Sequence, residues 1–177
     1  WEHTIVVVTA DHGEQLGDQG LIQKLGWFDA SYHIPGIVRD PRRPHAHGTT
    51  VEAFTENVDI FPTLCELLGE PVPRQCDGRS LVPWLDGTPP AQWRDAAVHE
   101  WDWRDQLLHR GTTDGWPSDR RLHQMHLTVR RTADHSYVQF GDGSWRCYDL
   151  AADPGYGVRI TDPAVALQHA QALLTWR

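Results

Sequence analysis

Apolar and polar positions divide the chain into two regimes. Thr4 to Thr9 reads TIVVVT, a β-branched run with no alternation. Such a run fits a strand buried on both faces, as in a parallel sheet flanked by helices. Only three residues precede it, so most of the neighbours it needs are expected from outside this sequence. The polar, Gly-punctuated stretch from Ala10 to Asp18 predicts a loop or short helical turn. Ile34 to Val38 predicts a second short strand, with Pro35 at its entrance. Pro41 to Gly48 reads as a turn-rich surface loop. Thr55 to Gly69 has helical period: Val58, Phe61, Leu64, Cys65 and Leu68 share a face. Pro62 falls in the first turn of that helix, and Gly69 fits the residue that stops it. Arg79 to Leu85 predicts a shorter helix after Asp77-Gly78.

After about Pro90 the pattern changes. Val98 to Trp101, Leu127 to Thr132, Ser136 to Phe140 and Trp145 to Leu150 predict short strands. Ala133-Asp134-His135 and Gly141-Asp142-Gly143 fit hairpin turns. Asp162-Pro163 then opens a last helix, Ala164 to Trp176. The expectation is a parallel α/β piece over residues 1–90. An antiparallel meander with one packing helix follows over residues 91–177.

Composition narrows the partners. The 177 residues suit about one domain. A formal charge of -8 argues against broad binding to nucleic acid or an acidic membrane, which needs a basic face. No apolar run approaches the roughly 20 residues of a membrane span. Cys65, Cys76 and Cys147 are odd in number and lack CxxC spacing, so a reducing cytoplasm is the simplest setting. Lys24 is the only lysine and Asn57 the only asparagine, a skew that suggests a GC-rich bacterial genome.

Candidate chemistry sits just past the first strand. Asp11 and His12 follow its C-terminal end, where open α/β sheets bind ligands. A carboxylate beside an imidazole offers one hard oxygen and one borderline nitrogen, suited to Mn, Zn, Fe or, less typically, Ca. Gly13 lets the backbone turn so that both side chains face one point. The plain alternative is ordinary turn chemistry, with a capping Asp and an idle His.

The longer string shifts that balance. Val8-Thr9-Ala10-Asp11-His12-Gly13-Glu14-Gln15-Leu16-Gly17-Asp18, then Lys24 and Ile34-Pro35, resembles the sulfatase family of the alkaline phosphatase superfamily. The phosphonate monoester hydrolases and arylsulfatases of that family are closest in motif. Thr55 to Thr63 resembles the helix after the family's metal loop. Cys76-Asp77-Gly78-Arg79-Ser80-Leu81 resembles its D-G-x-S-L turn. Trp93-Arg94 and His99-Glu100-Trp101 resemble the entry to its C-terminal subdomain. Tyr148-Asp149-Leu150-Ala151-Ala152-Asp153-Pro154 resembles its closing motif, although Gly155-Tyr156-Gly157 departs from the usual continuation.

The resemblance implies an α/β fold: the C-terminal part of an alkaline-phosphatase-like parallel sheet between helices, followed by the antiparallel meander. It implies that Asp11 and His12 ligate a divalent metal (Mn, Ca, Zn or Fe). His12 and Lys24 would then serve catalysis, with Lys24 reaching the anionic oxygens of a sulfate, phosphate or phosphonate ester. A metal and a fixed cation both stabilise charge developing on a departing oxyanion. Lys24 is otherwise a solvated surface lysine.

The family nucleophile lies in a C/S-x-P-S/A-R motif. Cys65 is followed by Glu-Leu-Leu, Cys76 by Asp-Gly-Arg and Cys147 by Tyr-Asp-Leu, so none matches. The remaining family metal carboxylate is not found either. The chain alone is therefore expected to bind metal weakly and to lack turnover, with the N-terminal half of the catalytic domain as its missing partner. A homo-oligomer is a further candidate assembly. Two other readings compete: a non-catalytic interaction module, and a superfamily phosphodiesterase or phosphomutase.

Blander readings apply elsewhere. Glu14 either orients His12 or is a solvated carboxylate. His45 and His47 form an H-x-H pair that is more often exposed loop than metal site. The tract from His99 to His126, rich in Trp, Arg, Asp and His, is read as packing or as substrate contact.

Overall fold

The computed structural model describes residues 1–102 and 126–176. Most of the His99–His126 tract lies outside the described residues. The chain forms two compact units, Trp1–Arg94 and Asp95–Arg177.

In the first unit, β1 (Val6–Thr9), β2 (Gln15–Leu16) and β3 (Ile22–Gln23) are followed by the short helix α1 (Asp29–Tyr32) and by β4 (Gly36–Arg39). Strand β1 pairs with β4 antiparallel, Thr9 opposite Gly36 and Val6 opposite Arg39. The expected parallel pairing is therefore not the one made within this chain. A continuous apolar run reports that both faces are apolar, not which way the partner runs. Nor is the strand buried on both faces. Val8 and its cross-strand partner Ile37 are 47% and 58% exposed.

A 3-10 turn (Asn57–Asp59) leads into α2 (Ile60–Leu68), which Gly69 ends in the left-handed conformation at φ 77°. The helix was expected to bury Val58, Phe61, Leu64, Cys65 and Leu68. Its buried residues are instead Pro62, Thr63, Cys65 and Leu67. Val58, Phe61 and Leu68 are more than half exposed. Of that face Cys65 is buried and Leu64 half-buried, while its other members face water. The predicted Arg79–Leu85 helix shortens to α3 (Val82–Leu85), because Asp77 to Leu81 is committed to another task.

That task centres on Asp59, which is fully buried. Its carboxylate accepts from the backbone N–H of Glu56 at 2.8 Å and of Arg79 at 2.8 Å. The Arg94 guanidinium grips both oxygens, with Nη2 2.7 Å from Oδ1 and Nη1 on Oδ2. The Thr63 hydroxyl donates to the Asp59 carbonyl at 2.6 Å and accepts from Leu81 N–H at 2.8 Å. A Cβ on Gly78 would stand 1.9 Å from the Val58 carbonyl oxygen, so only glycine allows this turn to lie against the start of α2.

The second unit is a four-stranded antiparallel sheet in the order β5 (Ala96–Asp102), β6 (His126–Thr132), β7 (His135–Phe140), β8 (Trp145–Asp149). The meander matches the expected strands to within two residues. Helix α4 (Pro163–Trp176) packs on β7 and β8, and Tyr137, Cys147, Ala166 and Leu173 make the core. Asp162 Oδ1 accepts from Ala164 N–H at 2.9 Å, and Pro163 occupies the first helical position, where its missing N–H costs nothing. In the departing segment after the closing motif, Asp153 accepts from the N–H groups of Gly155 and Gly157, each at 2.8 Å. Tyr156 takes φ 65° there and packs edge-on against Tyr148.

His169 of α4 is buried and lies stacked on Tyr137, 5.4 Å between centroids. Arg130 Nη1 donates to its Nδ1 at 3.0 Å, so its proton sits on Nε2, which donates to His135 Nδ1 at 3.1 Å. Asp95 binds the far side of Arg130 at 2.7 Å. Burial first, then the charges of Arg130 and His135, push the His169 pKa down to about 4.

Two outcomes follow for stability. The unfolded His169, at about 6.5, takes up a proton that the folded one refuses. Stability therefore falls as pH drops from about 6.5 towards 4, by about 3 kcal/mol in all. Urea unfolding at pH 7 and pH 4.5 measures this, and His169→Gln flattens the dependence. Asp59→Ala leaves the Arg94 charge with only the longer Glu56 contact at 3.5 Å and strips the Glu56 and Arg79 N–H groups of their acceptor; it lowers unfolding free energy by about 3 kcal/mol in the same assay.

Candidate functional site

Strand β1 delivers its end to the loop Ala10 to Glu14. Asn57, ahead of α2, holds this junction. Its Oδ1 accepts from the Thr9 hydroxyl at 3.0 Å, and its Nδ2 donates to the Ala10 carbonyl at 2.8 Å. An open concavity of about 470 Å³ lies beside Asp11 and is walled by Ile60, Phe61 and Leu64.

The next residues carry the predicted ligands, and they converge. The Asp11 side chain is 88% exposed and brings Oδ2 to 3.5 Å from His12 Nε2. His12 Nδ1 lies 2.7 Å from the Gly13 carbonyl oxygen. A carbonyl only accepts, so Nδ1 carries a proton, and Nε2 is the ring nitrogen that faces the carboxylate. At 3.5 Å that pair is long for a hydrogen bond and close enough for both atoms to reach one ion. The donor set, one carboxylate oxygen and one imidazole nitrogen, suits a divalent cation. Among the described residues there is no group of three or more metal-ligating side chains. Glu14 is exposed and is not the partner that orients His12; the Gly13 carbonyl is.

Gly13 is fixed by packing as well as by its turn. Its N–H donates to the Ser31 carbonyl at 2.7 Å, and a Cβ would fall 2.1 Å from the Ala30 carbonyl oxygen. Beneath the loop, Gln15 is wholly buried. Its Nε2 donates to the Leu25 carbonyl at 2.7 Å and to the Ser31 hydroxyl at 3.1 Å. Ser31, also wholly buried, donates its hydroxyl to the same Leu25 carbonyl at 3.2 Å.

Lys24 stands exposed in the turn immediately after β3. The residue before it, Gln23, takes φ 60°, a left-handed conformation unusual for a residue with a side chain. Of the H-x-H pair, His47 donates Nε2 to the Asp40 carbonyl at 3.0 Å, which assigns it to the loop's own structure. The Asp40 carboxyl is buried and held well below the usual carboxylate range, chiefly by hydrogen bonds from the Arg42 side chain.

Comparison with known proteins decides the family. The Sulfatase family model matches residues 1–70. The multifunctional alkaline phosphatase superfamily protein PehA of Trinickia caryophylli is 37% identical over 100% of this chain and 35% of its own length. The phosphonate monoester hydrolase of Agrobacterium radiobacter superposes with a TM-score of 0.88 at 39% identity, over 100% of this chain and 35% of that one. This chain belongs to the sulfatase family.

The N-acetylglucosamine-6-O-sulfatase of Bacteroides thetaiotaomicron is a further relative, 32% identical over 86% of the chain and 25% of its own length. This sulfatase-family chain thus spans about a third or less of the length of the relatives it matches, and it corresponds to their C-terminal part. Members of the superfamily are metal-dependent in general. No helix among the described residues is long and apolar enough to cross a membrane.

Sequence reasoning proposed Asp11, His12 and Lys24 and assigned no role to Gln15, Ser31 and Asn57, which hold the loop. Only the single use of asparagine hinted at Asn57. Nothing hinted that Gln15, within a polar string, would be the most deeply buried residue of the loop. Gly13→Ala is expected to displace the loop from α1 and to weaken Mn²⁺ binding about tenfold or more, while far-UV circular dichroism stays unchanged. Titration monitored by Mn²⁺ electron paramagnetic resonance checks it.

Proposed function

We propose that this chain carries part of the active site of a metal-dependent hydrolase of sulfate, phosphate or phosphonate esters. The observation that carries the reading is the convergence of Asp11 Oδ2 and His12 Nε2, 3.5 Å apart, with Nδ1 turned away onto the Gly13 carbonyl. In the proposal these two atoms supply two ligands of a divalent metal, of the Mn, Ca, Zn or Fe class. When bound, that ion polarises an ester oxygen and offsets charge on the reacting group. Lys24 contributes a fixed cation for the anionic oxygens of the substrate, which its place in a constrained turn supports. Small anionic esters are the substrate class, in line with the sulfatase and phosphonate monoester hydrolase relatives.

The chain supplies no side chain that reads as the nucleophile. Its partner in catalysis is the rest of the α/β domain. The bare apolar positions Val8, Ile37, Val58, Phe61 and Leu68 form the surface such a partner would cover, as the lengths of the relatives suggest. Residues 1–90 belong in this reading to the catalytic domain, and residues 91–177 to its C-terminal subdomain.

Asp11→Ala and His12→Ala are each expected to lower Mn²⁺ affinity of the chain about tenfold or more, with unchanged secondary structure. In the intact parent enzyme each removes most turnover, and added metal restores it only in part. Unchanged affinity and turnover in both variants would sink the assignment.

A further inference from the structure

Gln15 holds the backbone on both sides of Lys24. Its main chain pairs with Gln23, the residue before the lysine. Its side-chain Nε2 donates to the carbonyl of Leu25, the residue after it. The same Nε2 reaches Ser31, whose carbonyl takes the Gly13 N–H two residues from Asp11 and one from His12. We infer that Gln15 is a positioning residue, which locks the lysine turn to the metal loop. This rests on the assignment of Lys24 and of the Asp11–His12 pair made above.

Two features separate this role from mere packing. First, Gln15 is a costly filler. It is wholly buried, and its Oε1 has no hydrogen-bond partner among the described residues. A buried acceptor left unmet is destabilising, and an apolar side chain of like shape would avoid that cost. The Leu25 carbonyl would still receive the Ser31 hydroxyl. Stability alone therefore does not call for a glutamine here. Second, the clamp spans a strained backbone. Gln23 at φ 60° holds its conformation only while its neighbours impose it, and such strain concentrates where a side chain must be aimed.

The single lysine gives a direct test. Growth on ¹⁵N-lysine labels one backbone amide, that of Lys24, whose order parameter is read by NMR relaxation. The wild-type chain is expected near the rigid value of about 0.85. Gln15→Met, close in shape and without donors, is expected to drop it below about 0.6 while the melting temperature holds or rises. Ser31→Ala keeps the Gln15–Leu25 bond and is expected to leave Lys24 ordered. Gln15→Glu provides a reversible version in one protein. With its carboxyl protonated it can donate to Leu25 and Lys24 is ordered; ionised, it cannot, and order is lost. An order parameter unchanged in Gln15→Met overturns the inference, as does pH-independent order in Gln15→Glu. If Gln15→Met fails to fold, the Gln15→Glu comparison decides. Mn²⁺ titration of the wild type is separate: failure there removes the proposed metal site, while the Lys24 order parameter still judges Gln15.

Discussion

The first unit hangs on one buried carboxylate. Asp59 gathers the backbone of Glu56 and Arg79 and the guanidinium of Arg94, three segments far apart in sequence. Each contributes a donor to an ion that has left water, and that ion would be costly without them. The consequence reaches the candidate site. Fixing Asp59 also fixes Asn57, two residues earlier, and Asn57 binds the Thr9 hydroxyl and the Ala10 carbonyl just before Asp11. The family-like strings at Thr55 to Thr63, Cys76 to Leu81 and Trp93-Arg94 are thus one object. They meet at Asp59, and Asn57 ties them to the loop that carries Asp11 and His12.

The loop is then held from its other end by polar atoms, with little help from apolar packing. Gly13 lies against the carbonyl of Ala30 with no room for a methyl group. Gln15 and Ser31 share the Leu25 carbonyl beneath it. Hydrogen bonds are directional where apolar contacts are not, so a few buried ones can fix a side chain's aim closely. This is the order of precision that two ligands of one ion require. It also explains why Asp11 can be almost fully exposed and still be presented towards His12.

Much of the fold was legible in the sequence because its signals are local. The period of Thr55 to Gly69, the Gly69 stop, the Asp162-Pro163 helix start and the four alternating strands after Pro90 all became elements near their expected places. The nearness of Asp11 to His12 was legible because adjacent residues after a strand end have few ways to point. The antiparallel partner of β1 was not, since its apolar run says nothing of direction. The solvent-facing Val58, Phe61 and Leu68 were not, since a helical period names an apolar face without naming its cover. Gln15 and Ser31 were hidden for a third reason. Their burial comes from a cross-loop arrangement with Leu25 that no periodicity encodes.

The two units differ in how completely they bury what they fold. The second covers Tyr137 and Cys147 almost wholly beneath its helix. The first leaves Val8, Ile37, Phe61 and Leu68 in water, each a loss of the stabilisation that burial would give. Stability within the first unit is therefore expected to be uneven, greatest around Asp59 and least along β1 and β4. The metal loop joins these regimes. It leaves a half-covered strand and is tied by Asn57 to the firm region, by Gln15 to the lysine turn. Any partner that covers the β1–β4 face would steady the loop of Asp11 and His12 without touching either, by suppressing the open states of the strand that presents them. Coupling of this kind needs no new ligand; it follows from a site mounted where local stability is lowest.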